Sequence, residues 1–530
     1  MRSLLLFFLL FTSMHLIGQR QEYKDFYPNG KVRSEGIYQR GFEDSLWHYY
    51  YETGVLQEAT NYRMGKLNGS VMRYHPNGKL MVEGYFKWDK QDSITRVFTD
   101  TEIKLEEGHF AKGLKVGLWY TFQANGDSLS IENYTDTAVY LMAFWQGKKK
   151  IIIDGHGVIE ERFESGKLMN ATRYVGGLKN GSFEAYYSSG NIREKGNYLN
   201  GKKDGSWEER FPSKELKKRA TYVAGTLSGS YEEWFENGKP NVKGEYANGV
   251  KTGYWTWYLE AGGKDMEGSF EEDLQQGDWI FWFANGQKNY WGTYKKGKMD
   301  GQWTYQYWGG EKWKEGYYND GVRNGPWKVW YENGQSLQEG QFKDDKEEGT
   351  WISHYDNGKI KDQGSYTSGK MAGKWEGFYP NGSKNYMGEW AEDKKIGTWA
   401  YWNEKGKPEK FETYNEKGEL NGPAETYTEN GKLESKGNYK EGKPDGEWEY
   451  FFENGGKLRT CSYKEGKLNG KSIVYSNRGG ISEEANYKNN RLHGIYIRYD
   501  EKTGKEMAKY KYEDGKVVKV LVGQPIRTME

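Results

Sequence analysis

An all-β fold is what this sequence predicts: an elongated array of antiparallel β-hairpins, about twenty copies of one 24-residue unit. Three observations carry that prediction. Glycines recur in a fixed frame, at Gly157, Gly181, Gly205, Gly229, Gly253, Gly277, Gly301, Gly325, Gly349, Gly373 and Gly397, and after a one-residue insertion at Gly422, Gly446, Gly470 and Gly494. Asn-Gly pairs stand between aromatic-rich runs, as at Asn29-Gly30, Asn77-Gly78, Asn285-Gly286 and Asn333-Gly334. Aromatic residues make up 17% of the 530 residues against 35% for all hydrophobic types, so the aliphatics are too few for a thick core.

Each position of the unit has a reading. In the copy that starts at Gly325, that glycine is expected to turn the chain and Trp327 opens the first strand. Asn333-Gly334 is expected to form a type I′ turn, in which both residues take positive φ. The second strand carries a glycine and then an aromatic, Gly340 and Phe342 here. That aromatic recurs from Tyr38, Tyr62, Phe86 and Phe110 through to Tyr463 and Tyr487. Three residues later the chain turns again, on Gly65, Gly201, Gly297 or Gly369, or on Asp89, Asp273, Asp345, Asp393 or Asn490. Gly, Asp and Asn share access to the left-handed region, so this slot reads as a backbone geometry. Thr137 and Lys417 depart from it where the frame is disturbed. A lone hairpin is marginal in water, so the copies must pair edge to edge, with like aromatics as neighbours. Two strands per copy at about 4.8 Å each would carry twenty copies over on the order of 190 Å.

The order along the chain is a signal peptide at 1–18, repeats over 19–134, an irregular junction at 135–156, a longer repeat array at 157–515 and a tail at 516–530. Arg2 followed by the apolar run Leu4 to Phe11 has the layout of a secretory signal, and the run is too short to span a membrane. With it removed, no transmembrane segment is expected, and the protein is placed in the periplasm, on the outer surface or outside the cell. The junction, TDTAVYLMAFWQGKKKIIIDGH, reads as two longer strands forming a bend or packed joint.

Charge is balanced, 77 basic against 76 acidic residues, with no basic stripe, which excludes nucleic acid as a partner. The runs Lys148–Lys150 and Lys217–Arg219 read as solvated edges. No catalytic residue, metal site or cofactor is expected. His48, His75 and His354 occupy aromatic slots, His156 has no partner in its motif, and Cys461 replaces the second-strand glycine as a packed thiol. Tryptophan is concentrated between Trp207 and Trp402, with Trp255, Trp279, Trp303, Trp327, Trp351, Trp375 and Trp399 in one column. That column reads as stacked core. Three positions away, an odd spacing puts Trp234, Trp282, Trp330 and Trp402 on the other face of the sheet, where they are the candidate partner-binding aromatics.

NGKPNVKGEYANGVKTGYWTWY and NGQSLQEGQFKDDKEEGTW resemble MORN repeats, in the variant form common in bacterial proteins. The resemblance covers nearly the whole chain beyond residue 18. It implies a meandering antiparallel sheet and a role in protein scaffolding or membrane-associated assembly, and some bacterial members of the variant group are labelled antitoxin-like. The functional expectation is an exported, non-enzymatic scaffold that binds protein at the cell envelope. The alternatives are carbohydrate or cell-wall binding through aromatics, and neutralisation of a toxin partner. The oligomeric state is left open.

Overall fold

The computed structural model describes residues 20–523, so the expected signal peptide at 1–18 lies outside the described residues. Among the described residues every regular element is a strand, and the strands of each sheet pair antiparallel in chain order. The chain divides into two compact units, one up to Lys251 and one from Thr252 on. In the first, twelve strands from Arg20–Phe26 to Lys149–Ile152 form an open sheet, and a further run extends from Gly157–Arg162 to Pro240–Ala247. In the second, strands follow one another from Lys264–Glu271 to Lys516–Val522. The last of these lies within the segment read as a tail.

One copy is a hairpin of a nine-residue and an eight-residue strand, as in Val322–Trp330 and Ser336–Lys343. Two corrections concern its turns. Asn333 keeps a negative φ and only Gly334 enters the left-handed region, at +83°. Gly334 N donates to Tyr331 O at 2.9 Å, and Tyr331 N donates to Gln335 O at 2.9 Å. This is a type I turn closed by a left-handed glycine, not a type I′ turn. The type I′ turns lie at the other end of the unit, where two consecutive residues have positive φ: Asp320 and Gly321 at 51° and 87°, Asp344 and Asp345 at 51° and 63°. The slot read as left-handed is so throughout its Asp and Asn members, with Asp89, Asp273, Asp393 and Asn490 at 64° to 65°. Gly325 does not turn the chain. It lies inside its strand at φ +121°, paired with Phe342 beside a bulge.

Asparagine recurs in the first turn because its amide links copies. Asn333 Oδ1 accepts from Gln335 N at 3.0 Å, and its Nδ2 donates to Asp356 O in the next copy at 2.8 Å. Asn77, Asn285, Asn357 and Asn381 reach the carbonyl 23 residues on in the same way. Tyrosine two residues earlier does likewise: Tyr331 Oη donates to His354 O at 2.9 Å and Tyr355 Oη to Phe378 O at 2.8 Å. At His75, Nε2 lies 3.0 Å from Phe98 O, so the imidazole stands where other copies place a phenol.

The core is a single layer of rings on one face. Trp279, Trp303 and Trp399 are at most 1% exposed although no second sheet covers them. Each indole lies flat on the glycine eleven residues before it. A Cβ on Gly36, Gly108, Gly196, Gly268, Gly292, Gly316, Gly340, Gly364, Gly388 or Gly437 would fall 2.0–2.3 Å from a tryptophan ring atom. The indole N–H then donates to the next carbonyl, as Trp351 Nε1 does to Gln341 O at 3.2 Å and Trp399 Nε1 to Glu389 O at 3.1 Å. Second-strand aromatics fill the gaps edge-to-face: Phe342 lies 5.2 Å from Trp327 in its own copy and 5.1 Å from Trp351 in the next. Lysines close the layer from above, with Lys115 3.8 Å from the Trp119 ring and Lys203 3.9 Å from Trp207.

The irregular segment forms strands Val139–Gln146 and Lys149–Ile152, with Gly147 at φ 61° between them. Leu141 N donates to Gly177 O, Gly177 N to Gly155 O and Gly155 N to Met142 O, at 2.8–2.9 Å. A Cβ at Gly155 would meet Gly177 N at 2.4 Å, so two glycines let three backbone segments meet here. Ile152 and Ala143 beneath are 0% and 2% exposed.

Candidate functional surface: the charged face and its tryptophans

Over two stretches the face opposite the tryptophan column is a ladder of alternating charge. Cross-strand partners run Glu184, Lys195, Glu208, Arg219, Glu232, Lys243 in the first unit, and Glu315, Lys328, Glu339 in the second. Lys195 and Arg219 lie 3.2 and 3.1 Å from Glu208, and Lys328 lies 2.6 Å from Glu339. Burial opposes the charge on Glu208, but hydrogen bonds from Lys195 and Arg219 outweigh it and hold the carboxyl below its ordinary range. On Glu449, hydrogen bonds from Lys457 and Lys436 lower the pKa directly. Exposed pairs contribute about 0–1 kcal/mol each, so the ladder sets register and surface character more than stability. Of the run Lys217–Arg219, Arg219 is a rung of it, while Lys217 and Lys218 pair with Glu209 at 2.7 and 3.7 Å.

The four tryptophans singled out by spacing all stand on this face, half-buried. Three of them lie beside cationic side chains rather than being presented bare. The Arg219 guanidinium lies 5.6 Å from the Trp234 ring, Lys264 5.3 Å from Trp282, and Lys312 and Lys328 5.4 and 5.6 Å from Trp330. Trp402 packs edge-to-face on Phe411 at 6.4 Å. A depression of about 500 Å³ surrounds Trp330, lined also by Lys312, Glu315, Lys328, Glu339 and Ile352. Another, of about 460 Å³, holds Trp234 with Phe235, Lys218 and Glu233. Trp282 and Trp330 share one arrangement at 48-residue spacing: a lysine at the strand start, a glutamate three residues on, and the indole. Lys104, Glu107 and Phe122 repeat it with a phenyl ring.

The sequence profile described as MORN repeat variant matches residues 22–40, 67–87, 179–200, 227–248, 323–344, 347–368, 420–441 and 444–465. Eight repeats along this chain are MORN repeat variants. Seven of the eight matched windows, among them 323–344 and 347–368, are one hairpin each, two strands about an Asn-Gly turn. No curated protein matches the chain. Solved structures similar to it include TcdB2-TccC3-TEV, at 10% identity and a TM-score of 0.12, covering 94% of this chain and 32% of that one. TcdB2-TccC3 without its hypervariable C-terminal region gives 10%, 0.13, 94% and 32%, and the Tc holotoxin pore of Photorhabdus luminescens 10%, 0.12, 92% and 31%. The chain spans about a third of the length of these structures, and a likeness at this TM-score carries no argument about its function.

The titratable groups of the MORN-variant array follow its architecture. Cys461 is buried at 3% exposure opposite Ser472, and burial pushes its thiol pKa up. It stands in the glycine slot just ahead of a copy whose column residue, Ser472, is small. Column and slot vary together: where Trp gives way to Val71, Tyr231, Ser472 or Tyr496, the residue eleven before is Thr60, Ala220, Cys461 or Ala485. That co-variation was readable in the sequence and is the signal by which the glycine's role could have been found. His354 takes the slot of Trp330 one copy later, and His156 Nδ1 lies 2.8 Å from Asp154 O. Among the described residues no three His, Cys, Asp or Glu side chains are arranged to hold a metal ion.

Proposed function

We propose that this chain is an exported, non-enzymatic scaffold that holds protein partners on the charged face of its MORN-variant array at the cell envelope. One observation carries the reading. Trp330 sits in a shallow depression among paired lysines and glutamates, the mixture of aromatic anchor and charged surround that protein interfaces use. A sugar ring stacks on an open indole face, and at Trp282 and Trp330 lysine ammonium groups stand over the rings, which favours a protein partner over a glycan. Export rests on Arg2 and the apolar run Leu4 to Phe11.

The test compares the full chain with its Trp282→Ala/Trp330→Ala variant, in cross-linked capture from envelope extract and on a glycan panel. Capture of defined envelope proteins that falls at least tenfold in the variant supports the reading. A soluble glycan bound by the wild type and lost in the variant overturns it. Export is tested separately, by fusing the first residues to a reporter active only outside the cytoplasm.

A further inference from the structure

Ten Asn-Gly pairs stand in first turns, and in each the glycine N–H donates to the carbonyl three residues back, at 2.7–2.9 Å. In nine of them the asparagine Oδ1 accepts from the N–H two residues on, at 2.8–3.0 Å. At Asn29, Asn77, Asn333, Asn357 and Asn381 the Nδ2 is held as well, by a carbonyl of the next copy at 2.8–3.1 Å. The tenth, Asn430, is exposed, and its side chain makes no hydrogen bond among the described residues. Other groups have taken both of its contacts. Thr428 stands where the Asn333 copy has Tyr331, and its Oγ1 accepts from Lys432 N at 3.3 Å. The Lys432 ammonium donates to Glu453 O at 2.7 Å, the carbonyl that Asn430 would reach if it followed Asn333.

We infer that Asn430-Gly431 is a site of spontaneous modification, where the chain's own backbone and water convert the asparagine into aspartate and isoaspartate. Gly431 N gives up its proton and bonds to Asn430 Cγ, the Cγ–Nδ2 bond breaks, and ammonia leaves with that proton. The cyclic imide then takes up a water molecule. Opening at Cγ yields aspartate, and opening at the backbone carbonyl yields isoaspartate. Glycine leaves the attacking nitrogen unhindered, so the rate depends on the carboxamide rotating until Cγ meets it. Two hydrogen bonds oppose that rotation at Asn333, and none does at Asn430. The glycine N–H is bonded alike in both turns, so the side chain makes the difference. The bonds that join copies therefore also preserve the amides that form them. Asn200-Gly201 and Asn248-Gly249 lie in the other turn, where asparagine itself takes positive φ, at 50° and 51°, and present a different backbone to the attack. The product places a carboxylate beside Glu429, whose carbonyl receives the Asn403 amide of the copy behind at 2.8 Å.

The test is peptide mapping by mass spectrometry of the full-length chain held at mildly alkaline pH, with the isoaspartyl form resolved by chromatography. Glu332-Asn333-Gly334 and Glu429-Asn430-Gly431 have the same immediate neighbours, so in denaturant the two should react alike. In the folded chain Asn430 should react about tenfold faster than Asn333 or Asn357. Thr428→Tyr/Lys432→Gln makes residues 428–432 identical to 331–335, and it should slow Asn430 to the rate of Asn333. Far-ultraviolet circular dichroism checks that the variant keeps its sheet. Equal rates at Asn333 and Asn430 in the folded wild type overturn the site. So does a folded double variant in which Asn430 reacts as fast as before. A difference between the two asparagines that persists in denaturant overturns it as well, because the missing hydrogen bonds would then not be its cause.

Discussion

Replacing Gly340 with alanine tests the packing rule on which the core depends. The glycine's φ is not in the left-handed region, so alanine meets no backbone strain there, and in an open site it would be neutral or stabilising by about 0.4–1 kcal/mol. The site is not open: the new Cβ would lie 2.2 Å from Trp351 Cδ2, 2.4 Å from Cε2 and 2.6 Å from Cγ. Reaching ordinary contact displaces the indole by about 1 Å. That costs about 1–3 kcal/mol in overpacking, and it breaks the 3.2 Å bond to Gln341 O, which contributes about 1 kcal/mol. The net expectation is a loss of about 2–3 kcal/mol. Hydrogen exchange by mass spectrometry resolves it locally, as lowered protection over the strands around 336–354 with distant copies unchanged. Two controls sharpen the result. Gly84→Ala should cost under about 1 kcal/mol, because its Cβ would meet only Thr95 Oγ1 at 3.3 Å and Gln91 Nε2 at 3.5 Å. Adding Trp351→Tyr to Gly340→Ala should recover part of the loss, as in the Ala220/Tyr231 and Ala485/Tyr496 copies. A neutral Gly340→Ala, or a double variant that merely adds the two losses, would refute the packing rule.

Asn333→Gly should destabilise by about 1–2 kcal/mol, since it removes the links to Asp356 O and Gln335 N; unchanged thermal stability would restore the conformational account of this asparagine. Thr95→Trp should raise protection over 80–111, because Gly84 keeps the slot an indole needs, whereas Val71→Trp meets Thr60 and should lower it over 56–74. Burial, then Glu35, pushes Tyr50 up to about 12, and burial, then Glu412, does the same to Tyr414. A raised folded-state pKa stabilises while the unfolded chain is also protonated, so this contribution is complete below pH 10 and lost as pH rises from about 10 through about 12. Circular dichroism and phenolate absorbance followed together should show the sheet weakening in that window; phenolate appearing at pH 10 with no change in the sheet would contradict it.

Most of the architecture was legible because it is periodic. The 24-residue frame, the two strands, the column from Trp255 to Trp399 and the opposite placement of Trp330 all follow from counting, since a strand's faces alternate by two. The left-handed slot at Asp345 and Asn490 was legible from the residue types that share it. What escaped was information carried between strands. Gly340 matters through Trp351 on the following strand and Asn333 through Asp356 on the next copy, and neither partner is visible from local pattern. The charge ladder escaped because bulges shift register once in each hairpin, so Glu315, Lys328 and Glu339 are rung neighbours at unequal sequence spacings.

The links between copies also have a direction. The hydroxyl of Tyr331 and the amide of Asn333 give their protons forward, to His354 and Asp356, and Tyr355, Asn357, Tyr379 and Asn381 pass theirs on in the same sense. A side-chain oxygen of Asp345 or Asp393 likewise takes a proton from Arg323 or Met371 of the copy behind. Each copy is therefore completed by its successor, and the array has a polarity that its repeated sequence conceals. On a ribosome the newest copy always waits for the next, so order should trail synthesis by one unit. In a genome, a 24-residue segment cut out or duplicated anywhere within the regular frame leaves every forward link with a recipient. At Asn125, just before the frame breaks, the amide turns back to Asp127 in its own turn, marking where that transmission stops.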